Sequence, residues 1–472
     1  MTSSAAWLLS WGIVAVLVIF VLASGAKRSV ALGALLILIP FQTVDTRYAS
    51  SSVLMAYALA TMLLISGELR FRMLPALIVV VLAYLLSFTQ ADRGLLVMNV
   101  ITIFQFVSCL IIFLLAYNFA GLVKTEKTAV DILFATNSLV VVYCILQLIV
   151  GPGESFVPFG VEEFAFNSNR NPDDPRLVGP FGNPGTTAGY FTLMILVCAM
   201  DLMFSSGGKR LFVLILAGFN LLGLVATGNR TGFLILVAMF PVMLFTFRRE
   251  LGAKRVTQFV IGGTLVLAIA STVAVAYTDF GRMFNRLATV TQTEGGVPTT
   301  RAETWPVAIE KIKERPWLGE GPYFWTEEDA EEAGQLRTEF EELGELDTIF
   351  DPYPHSLYLY LLRTVGIVGL LAVLWFFFQA WRHLSRASRL QSARSYGLAF
   401  VRLGTILIPA FLIAQITLEF NRRTTLDYAQ FVFALIGLLL GVADRERHDA
   451  TAEVDYKSRT SARSVEYGSG VP

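Results

Sequence analysis

His355, Arg301 and Arg230 are the residues of this chain whose types best suit chemistry, joining one proton-transfer group to cations that can hold an anion. His355 ends the one long polar segment, Tyr277 to His355, and stands just before the apolar run that starts at Leu357. The other histidines, His383 and His448, lie in a basic loop and in the polar tail, so only His355 can meet a substrate on the opposite face. By placement alone His355 is either a proton acceptor or an interfacial histidine satisfied by backbone and headgroups. Arg230, in Thr227-Gly-Asn-Arg-Thr-Gly232, fills a tight turn between two apolar runs, where an arginine either snorkels to headgroups or binds an anion.

Further cations and turns surround these residues in sequence. Arg282 and Arg286, four apart, precede a Thr/Gly/Pro-rich break at Thr289 to Thr300 and could steer an anionic substrate. From Arg301 the residues Trp305, Ala308, Ile309 and Ile312 share one helical face, as in a helix lying on a membrane surface. Its cap is either Thr300, in a capping box with Glu303, or Thr304, which would spare the helix an interior Pro306. Next, Arg315-Pro-Trp-Leu-Gly319-Glu-Gly321-Pro-Tyr323 reads as a close turn able to approach a ligand. Glu327 to Asp347 is dense in carboxylates without metal-ligand spacing, and reads as a solvated amphipathic helix. Upstream, Gly179-Pro-Phe-Gly-Asn183-Pro-Gly-Thr-Thr187 enters an apolar run with amides free to meet an anion, although purely structural helix starts look the same. Arg170 and Arg176 read as loop surface, whereas Arg422 and Arg423 break the charge pattern of their side.

The elements that must position these groups are membrane spans. The chain is 55% hydrophobic and only 16% charged, with a mean hydropathy of +0.61, so most of its solvent is lipid. Apolar runs lie at about 6–24, 29–43, 50–66, 73–89, 95–117, 129–150, 186–204, 210–227, 231–247, 257–277, 356–380, 398–418 and 426–443, giving about twelve to thirteen transmembrane helices. The first lacks a basic leader and is followed at once by Lys27 and Arg28, so it reads as a retained span. Alternate loops carry Lys27 and Arg28, Arg70 and Arg72, Lys124 and Lys127, Lys209 and Arg210, Arg248 to Arg255, and Arg382 to Arg394. By the positive-inside rule those loops are cytoplasmic. The segment 151–185, the Arg230 turn and the long loop 278–355 then face outward. The expected organisation is an all-α polytopic membrane protein with spans in 1–277, a large outer loop at 278–355, spans in 356–443, and a disordered cytoplasmic tail at 444–472. The zero formal charge says nothing of partners until the charges are placed by side; no nucleic-acid partner is expected, and Cys109, Cys144 and Cys198 all sit in apolar runs, arguing against disulfides or a metal cluster.

In order and spacing, residues Gly179 to Leu374 resemble the O-antigen ligase family, which includes lipopolysaccharide O-antigen ligases, polysaccharide polymerases and oligosaccharyltransferases. The resemblance is carried by Asn183-Pro184, Arg230, Arg301 with Trp305, Pro316 with Gly319 and Gly321, and His355 with Leu357, Leu361, Gly366 and Gly369. Two positions depart: the family usually has Asn after the histidine and an acid before the following glycine, where this chain has Ser356 and Arg363. The resemblance implies a multi-pass bacterial inner-membrane enzyme working at the periplasmic face. It implies an undecaprenyl-pyrophosphate-linked glycan as donor and a glycan, lipid A core or protein hydroxyl as acceptor, with no cofactor and no metal. His355 would then be the general base, Arg230 and Arg301 would offset the leaving pyrophosphate, and Asn183, Arg282, Arg286, Trp305, Gly319, Gly321 and Tyr323 would line the substrate. A GT-C-like architecture would supply a lateral opening for the lipid and a polar loop above it. A ligase is favoured over a polymerase; the rival class, a non-catalytic export or assembly protein, would tolerate loss of His355 and Arg301. Spans with apolar centres and no internal repeat argue against a transporter.

Overall fold

A computed structural model describes residues 28–41, 51–123, 126–150, 155–156, 166–167, 176–248, 301–324, 354–389, 395–416 and 426–468, together with 252, 257, 261 and 262. The helices are α1 (Arg28–Leu38), α2 (Ser51–Ile65), α3 (Leu74–Phe88), α4 (Leu96–Leu122), α5 (Glu126–Val150), α6 (Pro184–Phe204), α7 (Gly207–Ala226) and α8 (Arg230–Thr246). They continue with α9 (Arg301–Glu314), α10 (Leu357–Ala387), α11 (Tyr396–Ala414) and α12 (Leu426–Gly468). Among the described residues seven helices are long and apolar enough to cross a membrane, and α2, α3 and α8 are shorter apolar helices. The protein is an all-helical polytopic membrane protein. Of the expected spans, 6–24 and 257–277 lie outside the described residues, apart from 257, 261 and 262.

The centre of the bundle is α12, whose apolar stretch is wholly buried, with α6 nearly as enclosed. Sequence explains the first of these. Gly437 and Gly441, four apart on α12, let its backbone meet α4, where a Cβ at Gly437 would collide with the Phe113 carbonyl and one at Gly441 would press on Ala120. Small residues at this spacing bring helices together in lipid, where apolar burial gives no drive of its own. Around that pair, α10 and α11 pack on α12, α3 lies along α10, and α6 lies among α7, α8 and α11. One polar chain inside links three helices: the Ser52 hydroxyl donates to Gln430 Oε1 at 2.8 Å, and Gln430 Nε2 donates to Ser108 Oγ at 3.0 Å. Outward, Leu82, Leu85 and Leu86 of α3 and Leu211, Leu214 and Leu222 of α7 are exposed, an apolar surface suited to lipid.

Charges gather at one end. Arg72 pairs with Asp444 at 2.9 Å, the Tyr117 hydroxyl donates to the same carboxylate, and Lys209 bridges Asp131 at 2.9 Å and Asp201 at 3.6 Å. Arg445 donates to the Val123 carbonyl and the Ser395 hydroxyl to Glu446, so the start of the tail is docked. Within the tail segment expected at 444–472, α12 continues to Gly468, and 469–472 lie outside the described residues. The sequence allows this, since no proline or glycine interrupts 442–467 and Glu453 precedes Lys457 by four residues. A second addition is a two-residue antiparallel pair, β1 (Ser155–Phe156) with β2 (Phe166–Asn167), inside the 151–185 segment.

Candidate functional site

At the opposite end from those charges, the site elements converge on residues 354–357. The helix expected after Arg301 is present as α9, which begins at Arg301 and contains Pro306, so Thr304 is not its cap. α9 packs against α10 with Ala308 fully buried, while Ile309 is exposed. One hydrogen bond fixes its position: the Trp305 indole N–H donates to the Pro354 carbonyl at 2.8 Å. Arg301 stands one turn before Trp305 on this helix. His355 itself has φ 45°, one of two non-glycine residues with positive φ among those described. The left-handed region costs of order 1 kcal/mol, though histidine tolerates it better than most residues. Ser356, buried, then leads into α10.

α10 is broken nine residues in. Gly366 takes φ 65°, ψ −170°, separating a first segment headed by His355 from the rest of the helix. Broken backbone at membrane depth must be satisfied by protein, and the segment Arg315–Phe324 does so. Glu320 N–H donates to the Arg363 carbonyl at 2.8 Å and Gly321 N–H to the Thr364 carbonyl at 3.1 Å. In return Ile367 N–H donates to the Pro316 carbonyl at 2.9 Å and Val368 N–H to the Trp317 carbonyl at 3.2 Å. Gly319 and Gly366 permit that approach: a Cβ on the first would strike the Thr364 carbonyl, on the second the Trp317 carbonyl. The strap is also held to α4, where the Asn99 side chain accepts from Tyr323 N–H at 2.8 Å. Gly319 and Gly321 therefore turn toward α10, and Tyr323 bonds α4 through its backbone.

Arg363 explains one departure from the family pattern. It is 2% exposed, its Nε donates to Glu320 Oε2 at 2.9 Å, and its guanidinium lies 3.9 Å over the Phe324 ring. Strap and helix thus share a buried ion pair between adjoining backbone hydrogen bonds, and the acid stands on the strap.

The second group of elements starts at α6 and α8. Asn183 caps α6, its Oδ1 accepting from Gly185 N–H at 2.7 Å and Thr186 N–H at 3.3 Å. Those amides, expected to be free for an anion, are taken by the cap. Asn229 does the same for α8 by accepting from Gly232 N–H at 3.0 Å, which sets Arg230 at the first helical residue. Arg176, read from sequence as loop surface, runs its side chain beside Gly228, two residues from Arg230. From this turn a narrow crevice passes between α6, α8, α11 and α12, lined by Thr192, Gly232, Ile235, Ala410, Ala414 and Tyr428. The lining residue Ala414 is followed in the chain by Gln415, whose carbonyl accepts the Leu357 N–H at 3.1 Å. The end of α11 therefore meets the start of α10 through Gln415 and lines the crevice beside α8 through Ala414. Arg282, Arg286 and the acidic 327–347 stretch lie outside the described residues.

Sequence reasoning passed over Glu320, Asn99 and Gln415, and noted Arg363 only as a departure. The available signal was polar residues at the edges of apolar runs, which in lipid require partners. Among the described residues no three histidine, cysteine or carboxylate groups cluster as metal ligands would. Residues 211–374, from α7 into the second part of α10, match the family model for O-antigen ligase. The comparison with curated proteins gives no match. The family match overlaps the resemblance read from Gly179 to Leu374 from residue 211 onward, and with the apolar helices it supports a membrane enzyme of the O-antigen ligase and polymerase type.

Proposed function

From that O-antigen ligase-type segment, we propose that the chain transfers a glycan en bloc from undecaprenyl pyrophosphate to an acceptor hydroxyl at the periplasmic face of the bacterial inner membrane. The observation that carries the reading is the Trp305–Pro354 hydrogen bond, because it draws the helix that starts at Arg301 to the histidine. The acceptor oxygen attacks the anomeric carbon, its proton passes to the imidazole of His355, and the bond from that carbon to the phosphate oxygen breaks. Undecaprenyl pyrophosphate leaves with the bonding electrons. Arg301 and Arg230 offset that charge without a metal, and Arg282 and Arg286 steer the donor. A single displacement of this kind inverts the anomeric centre.

Both lipid and glycan need a path to the histidine, and the exposed apolar faces of α3 and α7 suit the polyprenyl chain. The orientation follows the charge asymmetry: Arg72, Arg445 and Lys209 lie at the end away from His355, which the positive-inside rule assigns to the cytoplasm. A ligase, handing a finished glycan to lipid A core or protein, is favoured over a polymerase.

The test is glycan transfer in membranes, with lipid-linked donor and product followed together in wild type, His355→Ala and Arg301→Ala at matched folded expression. Loss of the base lowers turnover by about 100- to 10,000-fold, and loss of the arginine acts comparably. Donor should accumulate in both variants, and the wild-type product distinguishes ligase from polymerase. Undiminished transfer by a folded His355→Ala protein would remove the proposed base.

A further inference from the structure

Gln415, the residue that caps the end of α11, is 0% exposed, yet among the described residues neither its amide nitrogen nor its amide oxygen has a hydrogen-bond partner. Burying an amide unmet is costly, and native proteins seldom do so without a compensating use. Asn137, midway along α5, has the same property, so an unmet amide alone does not mark a site. Position distinguishes Gln415. Its own carbonyl holds the first N–H of α10, and the Tyr358 hydroxyl donates to the Leu412 carbonyl at 2.6 Å. The last turn of α11 is thereby stitched to the first turn of α10, two residues from His355. On its other side its neighbour Ala414 lines the crevice with Gly232, two residues after Arg230. Gln415 thus touches the start of α10 through its own carbonyl and follows the residue that lines the crevice beside the start of α8.

We propose that Gln415 is a binding residue for sugar hydroxyls of the glycan at the reacting end; the inference rests on the glycosyl-transfer reading above. The chemistry of a carboxamide selects this ligand class. It offers a donor and an acceptor side by side, and a hydroxyl, which both donates and accepts, satisfies the two together. A phosphate accepts only and would leave the amide oxygen unmet, and a polyprenyl chain would leave both ends unmet. An uncharged amide therefore suits the sugar, and the pyrophosphate is left to the arginines. Holding this amide unmet in the unliganded fold stores a hydrogen-bonding capacity that substrate completes.

The measurement compares wild type, Gln415→Met, Gln415→Leu, Gln415→Glu and His355→Ala in lipid nanodiscs, recording the melting temperature and transfer kinetics with undecaprenyl-pyrophosphate-linked glycan. Gln415→Met keeps the volume and removes the unmet amide, so its melting temperature should equal or exceed that of wild type. Its kcat/KM should fall on the order of 10-fold, mainly through KM for the glycan. Gln415→Glu, which keeps an acceptor and loses the donor, should fall between. Wild-type kinetics in both Gln415→Met and Gln415→Leu would overturn the assignment, as would melting temperature and activity falling together, the behaviour of a structural amide holding a buried water. If wild type forms product, His355→Ala forms none and Gln415→Met is unimpaired, this inference alone falls. If wild type forms no product, the transfer reading falls and takes the inference with it.

Discussion

Removing one partner of the Arg363–Glu320 pair should damage the protein far more than removing both. Arg363 is 2% exposed and the Glu320 side chain 20% exposed, so either charge left alone is poorly solvated. Breaking a fully buried pair costs about 3–5 kcal/mol, and the partial exposure of Glu320 reduces the figure for Arg363→Leu to about 2–4 kcal/mol. Glu320→Leu leaves the deeper charge and should cost about 3–5 kcal/mol. The double variant Arg363→Leu/Glu320→Leu retains apolar volume with no stranded charge and should cost only about 1–2 kcal/mol, including the lost stacking on Phe324. The coupling energy is therefore large, about 3 kcal/mol or more. Reversible denaturant titration of the three variants and wild type in mixed micelles measures it. Glycan transfer supplies a second reading, because the strap holds the α10 segment that His355 heads: turnover should fall in both single variants and recover partly in the double. If the double variant loses the sum of the single losses, within about 0.5 kcal/mol, the ion pair does not lock strap to helix and the reasoning fails.

Trp305→Phe keeps the ring and removes the indole N–H, leaving the Pro354 carbonyl unmet; the loss of about 1–2 kcal/mol in placing α9 should lower kcat about 10-fold with KM for donor little changed, and undiminished turnover would separate α9 from His355. Asn183→Ala should destabilise the fold by about 1 kcal/mol through loss of the α6 cap while Asn183→Asp does not, and a raised donor KM at unchanged stability would restore Asn183 as a substrate contact.

Much of this architecture was legible in sequence because lipid makes spans conspicuous: the run at 186–204 became α6 and the run at 95–117 became α4, with ends shifted by a few residues. Less legible were the features that depend on which helices touch. Gly437 and Gly441 read as ordinary glycines of an apolar run until α4 is laid against them. Gly366 read as part of a glycine-rich span, yet its left-handed backbone breaks α10, since only the returning strap, remote in sequence, can accept and donate at the gap. The same limit governed the site. His355, Arg230 and Arg301 stood out by residue type, and the structure draws the helix beginning at Arg301 to the histidine through Trp305. Asn183 and the Gly319 to Tyr323 segment stood out equally, but a cap oxygen that occupies amides and a turn that approaches a ligand have one sequence signature. What separates them is where the hydrogen bonds go. Arg363 shows the reverse error: read as a departure from a family pattern, it gained meaning only beside Glu320, forty-three residues away in the chain. In a membrane protein a charged residue inside an apolar run is an unfinished pair, and the search for its partner should precede any reading of it as variation.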